Sequence, residues 1–181
     1  MTPFWQFGLL GIVIIAMVTD LQTRKIYNWL TFPAMLVGLV LNIALGGVSG
    51  LESSLIGLAA GSLLFVVGFL MGAMGAGDVK LMAAVGLWLG WPHTLAAVVY
   101  VTVAGALVAI VSATANGSLP KLLNNVKWFF LGLIIPGAKA TVALGDSAAP
   151  PVPYGVSIAI GTALALLFPQ MDGLLSLLHG G

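Results

Sequence analysis

The chain has 181 residues, 60% of them hydrophobic and only 6% charged, with a net charge of +1 and a mean hydropathy of +1.15. A soluble domain carries about 25% charged residues, so this chain lacks the polar surface to face water, and it has no basic footprint for nucleic acid. Cysteine is absent, which excludes disulfides, thiol nucleophiles and cysteine-built zinc modules.

The class these numbers define is an all-α polytopic membrane protein, read as one domain over residues 1–181. The alternating segments of roughly ten residues that mark a transmembrane barrel are not evident. Thr2-Pro3 can start a helix, and Phe4 to Thr19 is an uncharged run, which predicts a first span over 4–21 with Asp20 near a membrane face. No Lys or Arg precedes this run, and a basic turn rather than a cleavage site follows it, so it does not read as a signal peptide. Gln22-Thr23-Arg24-Lys25 is a polar turn, and Ile26-Tyr27-Asn28-Trp29 has the composition of an interface belt. A second span is predicted over 29–45, with Pro33 in its first turn.

Gly46 to Glu52 is expected to be a short loop, and 54–73 a third span. Gly57 and Gly61, then Gly68 and Gly72, have the spacing that lets helices approach closely, and helix packing is the simplest reading of them. Next comes Gly75-Ala76-Gly77-Asp78-Val79-Lys80, where small residues let the backbone turn tightly around a carboxylate. The fourth span, 79–90, is short, because Val79 to Leu89 covers only about half of a ~30 Å bilayer core. The turn before it is therefore expected to be recessed beside a wet cavity, since non-helical backbone survives at depth only against protein or water. A fifth span is predicted over 94–115 and a sixth over 152–168, entered through Pro153-Tyr154-Gly155. Between them, Leu119 to Ile135 sets apolar residues against Lys121 and Lys127, as in a helix lying in the interface.

Six crossings in this order put Arg24, Lys25, Lys80, Lys121, Lys127 and Lys139 on one side. By the positive-inside rule that side is the cytoplasm, with both termini outside. Asp20 and Asp78 then share the cytoplasmic face of an integral inner-membrane protein. Two carboxyl groups brought together there could share a proton, one activating water and the other polarising a carbonyl, as in an aspartic protease. The plainer alternatives stay open: Asp20 could pair with Arg24 along its helix, and Asp78 could cap the helix that follows it. His93, Asp146 and Asp172 fall in loops and are not expected to take part. Helix dipoles suggest one further asymmetry. Asp78 lies at a helix start, which favours its charged form, and Asp20 at a helix end, which makes it the expected proton holder.

The sequence from Gly75 to Leu81 resembles the GxGD motif of the prepilin peptidases, membrane aspartic proteases that process pilin-like precursors. Asp20, Arg24, Ile26, Asn28, Leu30 and Thr31 match the family's other block, D-x-x-x-R-x-I-x-N-x-L-T, and Pro153-Tyr154-Gly155 resembles its last-helix motif. The resemblance implies catalytic Asp20 and Asp78, with Gly75, Gly77, Lys80, Tyr154 and Gly155 as supporting residues. It also implies an endopeptidase that needs no cofactor or metal and cuts a short basic leader from a precursor whose hydrophobic helix stays in the lipid bilayer. Lys80 would either orient a substrate carbonyl or extend to the interface. Larger family members carry an N-terminal segment with two Cys-x-x-Cys pairs, associated with methylating the product. The absence of Cys here resembles the short form found with Flp/Tad-type pilus systems. A proton-coupled transporter or channel using the same two aspartates as a relay is the alternative from another class; it predicts an inverted repeat, and none is evident.

Overall fold

Helices account for all the regular structure among the residues that the computed structural model describes, which are 6–70, 74–134 and 154–168. In chain order they are α1 (Gln6–Thr23), α2 (Asn28–Leu70), α3 (Ala76–Leu89), α4 (His93–Ala115), α5 (Leu119–Ile134) and α6 (Tyr154–Leu167). Gly72, Lys139, Asp146, Pro153 and Asp172 lie outside the described residues.

The expected loop over Gly46 to Glu52 is not formed. Helix continues from Asn28 to Leu70, and only Gly47 leaves helical geometry, at φ 58° and ψ −133°. That left-handed backbone suits glycine, and it reverses the chain in a single residue. The contacts on either side define the reversal. The first arm runs alongside α3 in the same direction, from Asn28 beside Lys80 to Asn42 beside Leu87 and Trp88. The second arm returns antiparallel, with Ser54 bonded to Leu87, Gly57 against Gly86, Gly61 against Met82 and Gly68 against Met74. A single-residue reversal leaves fewer backbone groups unpaired than a seven-residue loop, an advantage wherever water is scarce.

The two arms of α2 clasp α3, and α3 forms the core. Leu81, Met82, Ala84 and Val85 are fully buried, and Trp88 is wedged between Gly8 of α1 and Gly38 of α2. The Trp88 indole Nε1–H donates to the Ala34 carbonyl at 2.7 Å. At 14 residues α3 is about 21 Å long, short for a lipid-facing span, but its flanks are covered by protein. Its last carbonyls, which have no partners within a helix, are taken by α2 and by the C-cap Gly90. Leu87 O accepts from Asn42 Nδ2 at 2.8 Å and Ser54 Oγ at 3.0 Å, Trp88 O accepts from Asn42 Nδ2 at 3.1 Å, and Gly86 O accepts from the Gly90 N–H at 2.9 Å.

The remaining helices close the other side. α4 and α6 pack antiparallel, with Gly161 against Val101 and Gly105 facing Ser157, and α6 also lies along α1. The outside is apolar: Phe7, Leu36, Leu63, Leu107 and Val111 are each more than half exposed. Asn28–Leu70 and His93–Ala115 are long and apolar enough to cross a membrane, and Phe7–Thr23 and Tyr154–Leu167 are shorter apolar helices. An apolar exterior of this kind is the arrangement of a chain whose solvent is lipid.

Candidate active site

The last turn of α1 and the first turns of α2, α3 and α6 meet at one end of the bundle. Asp20 stands in that last turn of α1, 7% exposed, and its Oδ2 accepts the backbone N–H of Gly155 at 2.9 Å. Asp78 is the third residue of α3, 8% exposed, and its Oδ2 accepts the backbone N–H of Gly75 at 2.9 Å. The two carboxyl groups are within electrostatic reach of each other, and Asp78 is also within reach of Tyr154. Gly75 and Ala76 are exposed, so the turn leading into α3 opens towards the end of the bundle while the carboxyl behind it is buried.

Glycine is required here by close approach. A Cβ on residue 155 would lie 2.8 Å from Asp20 Cβ and 2.9 Å from its Oδ2. A Cβ on residue 77 would lie 2.9 Å from Ile26 Cβ and 3.2 Å from Ile26 O. The first contact lets the start of α6 reach Asp20. The second lets the α1–α2 link lie across the first turn of α3.

Asp20, Asp78, Gly75, Gly77, Tyr154 and Gly155 are thus brought to one cluster, with Lys80 on its flank. Lys80 has neighbours on α2. Its Nζ donates to Asn28 Oδ1 at 2.9 Å and lies 5.4 Å from the centre of the Phe32 ring. Asn28 and Phe32 were not anticipated as neighbours of the site; their one sequence signal is the motif block containing Asn28. Asp78 also serves its own helix, not as the residue before it, as the capping alternative had it, but from its third position, by holding the N–H of the cap residue Gly75.

The dipole asymmetry expected between the two aspartates does not hold. Asp20 is near the end of α1, but its carboxyl is seated on the N-terminus of α6. Both carboxyl groups therefore face the positive end of a helix and a backbone N–H donor. The sequence hides this because the Asp20–Gly155 contact bridges 135 positions. Each carboxyl has one oxygen anchored, which fixes its orientation.

Residues 7–110 match the model of the Type IV leader peptidase family, a stretch that includes both aspartates and ends within α4. The chain belongs to that family. It is 37% identical over 120 residues to a prepilin leader peptidase/N-methyltransferase of Burkholderia pseudomallei, covering 62% of this chain and 38% of the relative. It is 39% identical over 97 residues to one of Klebsiella pneumoniae, covering 48% and 42%. A protein of the same name from Aeromonas salmonicida is 29% identical over 181 residues, covering 93% of this chain and 52% of the relative. The chain therefore spans about half the length of these relatives or less. No solved structure matches it.

Proposed function

We propose that this protein is a membrane-embedded aspartic endopeptidase that removes the short basic leader of prepilin-like precursors, with Asp20 and Asp78 as the catalytic pair. The observation that carries the reading is the joint seating of two buried carboxyl groups at one end of an apolar bundle, each anchored by a backbone N–H. Family membership and the printed names of the relatives support leader cleavage as the activity. One carboxylate takes a proton from water as its oxygen attacks the scissile carbonyl, and the other, protonated, donates to the carbonyl oxygen. Collapse of the diol returns a proton to the leaving amine. The methyl-transfer half of the relatives' name is not carried over, since the cysteine pairs associated with it have no counterpart in these 181 residues.

The same reading gives six crossings, with the catalytic end at the cytoplasmic face. Arg24, Lys25 and Lys80 cluster at that end, where the positive-inside rule places cationic residues. The substrate helix then stays in lipid while its basic leader extends into the cytoplasm.

The test is co-expression with a precursor carrying a basic leader, followed by N-terminal sequencing of the product. Wild type cleaves at the junction between leader and apolar helix. Asp20→Asn and Asp78→Asn each lower the rate by about a thousandfold or more, the scale for removing a member of a catalytic unit. Processing at the wild-type rate in either variant removes that residue from the catalytic pair.

A further inference from the structure

We propose that Lys80 is a positioning residue: with Asn28 and Phe32 it forms a clasp that fixes the first turn of α3, and so Asp78, against the α1–α2 link. That Asp78 matters for peptide cleavage rests on the function proposed above; the clasp itself does not.

The segment 75–77 has few side-chain atoms of its own with which to hold its shape. Gly75, Ala76 and Gly77 offer no side chain beyond a methyl group, and the Gly75 N–H is held by Asp78, the very residue to be positioned. Glycine also loses the most backbone freedom on ordering, so contacts from outside matter to this turn. Among the described residues, besides the Asp78 cap, two contacts from outside α3 hold it, one from the α1–α2 link and one from the start of α2. Ile26 fills the space beside Gly77, and Lys80 is gripped from α2 by the Asn28 amide oxygen at 2.9 Å and the Phe32 ring face at 5.4 Å. The α1–α2 link begins where α1 ends, with the Arg24 N–H donating to the Asp20 carbonyl at 2.8 Å. One short segment thus starts at one aspartate and grips both sides of the other.

Helical geometry separates the two roles on α3. Asp78 and Lys80 are two positions apart, so they point about 200° away from each other around the helix. Lys80 therefore acts on Asp78 through the backbone of the turn. A lysine suits the task because its stem lies along apolar surface while its ammonium serves an amide oxygen and an aromatic face together. Asn28 as acceptor leaves the positive charge uncancelled by that bond, which keeps this end of the bundle cationic.

The test is hydrogen exchange by mass spectrometry on the full chain in lipid nanodiscs, alongside precursor-cleavage kinetics. Lys80→Met removes the donor and keeps the stem; Asn28→Ala removes the acceptor. Each is expected to speed exchange across 75–80 by about tenfold or more, while the amides of α4 keep wild-type protection. The double variant is expected to be no faster than either single one, and Lys80→Arg to stay within about threefold of wild type. In the cleavage assay both single variants lower kcat and leave KM for the precursor unchanged. Unchanged exchange in folded Lys80→Met, additive effects in the double variant, or a rise in KM alone would each overturn the clasp. If Lys80→Met does not fold, Asn28→Ala alone decides by the same measure. Exchange needs no substrate, so a failed peptidase assignment and a failed clasp give different results.

Discussion

The Asp20 carboxyl oxygen and the Gly155 backbone N–H meet at 2.9 Å, tying the last turn of α1 to the first turn of α6 across 135 positions of sequence. The bond fixes one oxygen of a buried acid. It also explains why a glycine follows Tyr154, because a side chain at this position would occupy the space of the carboxyl group itself.

Gly155→Ala is expected to lower precursor cleavage by at least about tenfold while leaving the helix content unchanged. The added methyl group would stand 2.8 Å from Asp20 Cβ, closer than carbon atoms pack, so either α6 retreats or the carboxyl turns away. A displacement near one ångström at the reacting groups is enough for a loss of about a hundredfold. Cleavage kinetics together with circular dichroism separate this outcome from unfolding. Wild-type kinetics in Gly155→Ala would show that the close approach has no bearing on the reaction.

Legibility in the sequence followed the range of the interaction. The apolar runs gave most of the helices, and the flanking small residues marked Asp78 as exceptional. The Gly46 to Glu52 stretch was misread because glycines signal a loop in water, whereas here helix persists on both sides of a single left-handed Gly47. Asp20 was placed by its own helix, and the second helix that seats it was invisible because nothing local encodes a contact with Gly155. The neighbours of Lys80, Asn28 and Phe32, lie on another helix and are likewise not encoded locally.

The far end of α3 gives a stability prediction independent of function. Asn42 Nδ2 donates to Leu87 O at 2.8 Å and to Trp88 O at 3.1 Å, supplying carbonyls that the helix cannot satisfy itself. Asn42→Leu leaves Trp88 O without this donor and Leu87 O with Ser54 alone. The expected cost is about 0.5–1.5 kcal/mol, the usual range for losing a hydrogen bond. A lowered thermal midpoint in detergent, with residual activity at low temperature, is the expected result.

Gly57 and Gly86 place their backbones in direct contact, each occupying the space a Cβ on the other would need. Gly86→Val therefore has no accommodating side chain to push aside; the obstacle is the Gly57 carbonyl, which belongs to a packed helix. Separation of α2 from α3 is expected, measured as loss of the folded fraction after purification. Gly11→Ala, where nothing lies within 4 Å, is the matched control and is expected to behave as wild type.

The apolar exterior can be tested by reversing the usual rule for surfaces. Val103 lies near the middle of α4 and is 54% exposed, so in a water-soluble protein a lysine there would change stability by less than about 0.5 kcal/mol. If lipid covers this face, the same substitution places an ammonium near the centre of the hydrocarbon, at a cost of roughly 2.5–3.5 kcal/mol on insertion scales. Val103→Lys is therefore expected to reduce membrane-integrated protein severalfold, and Val103→Leu to leave it unchanged. Carbonate extraction of membranes from cells expressing each variant reads the difference directly. The comparison discriminates because only lysine brings a charge, whose cost depends on the solvent around α4. Equal recovery of Val103→Lys and wild type would mean that this face of α4 is not covered by lipid.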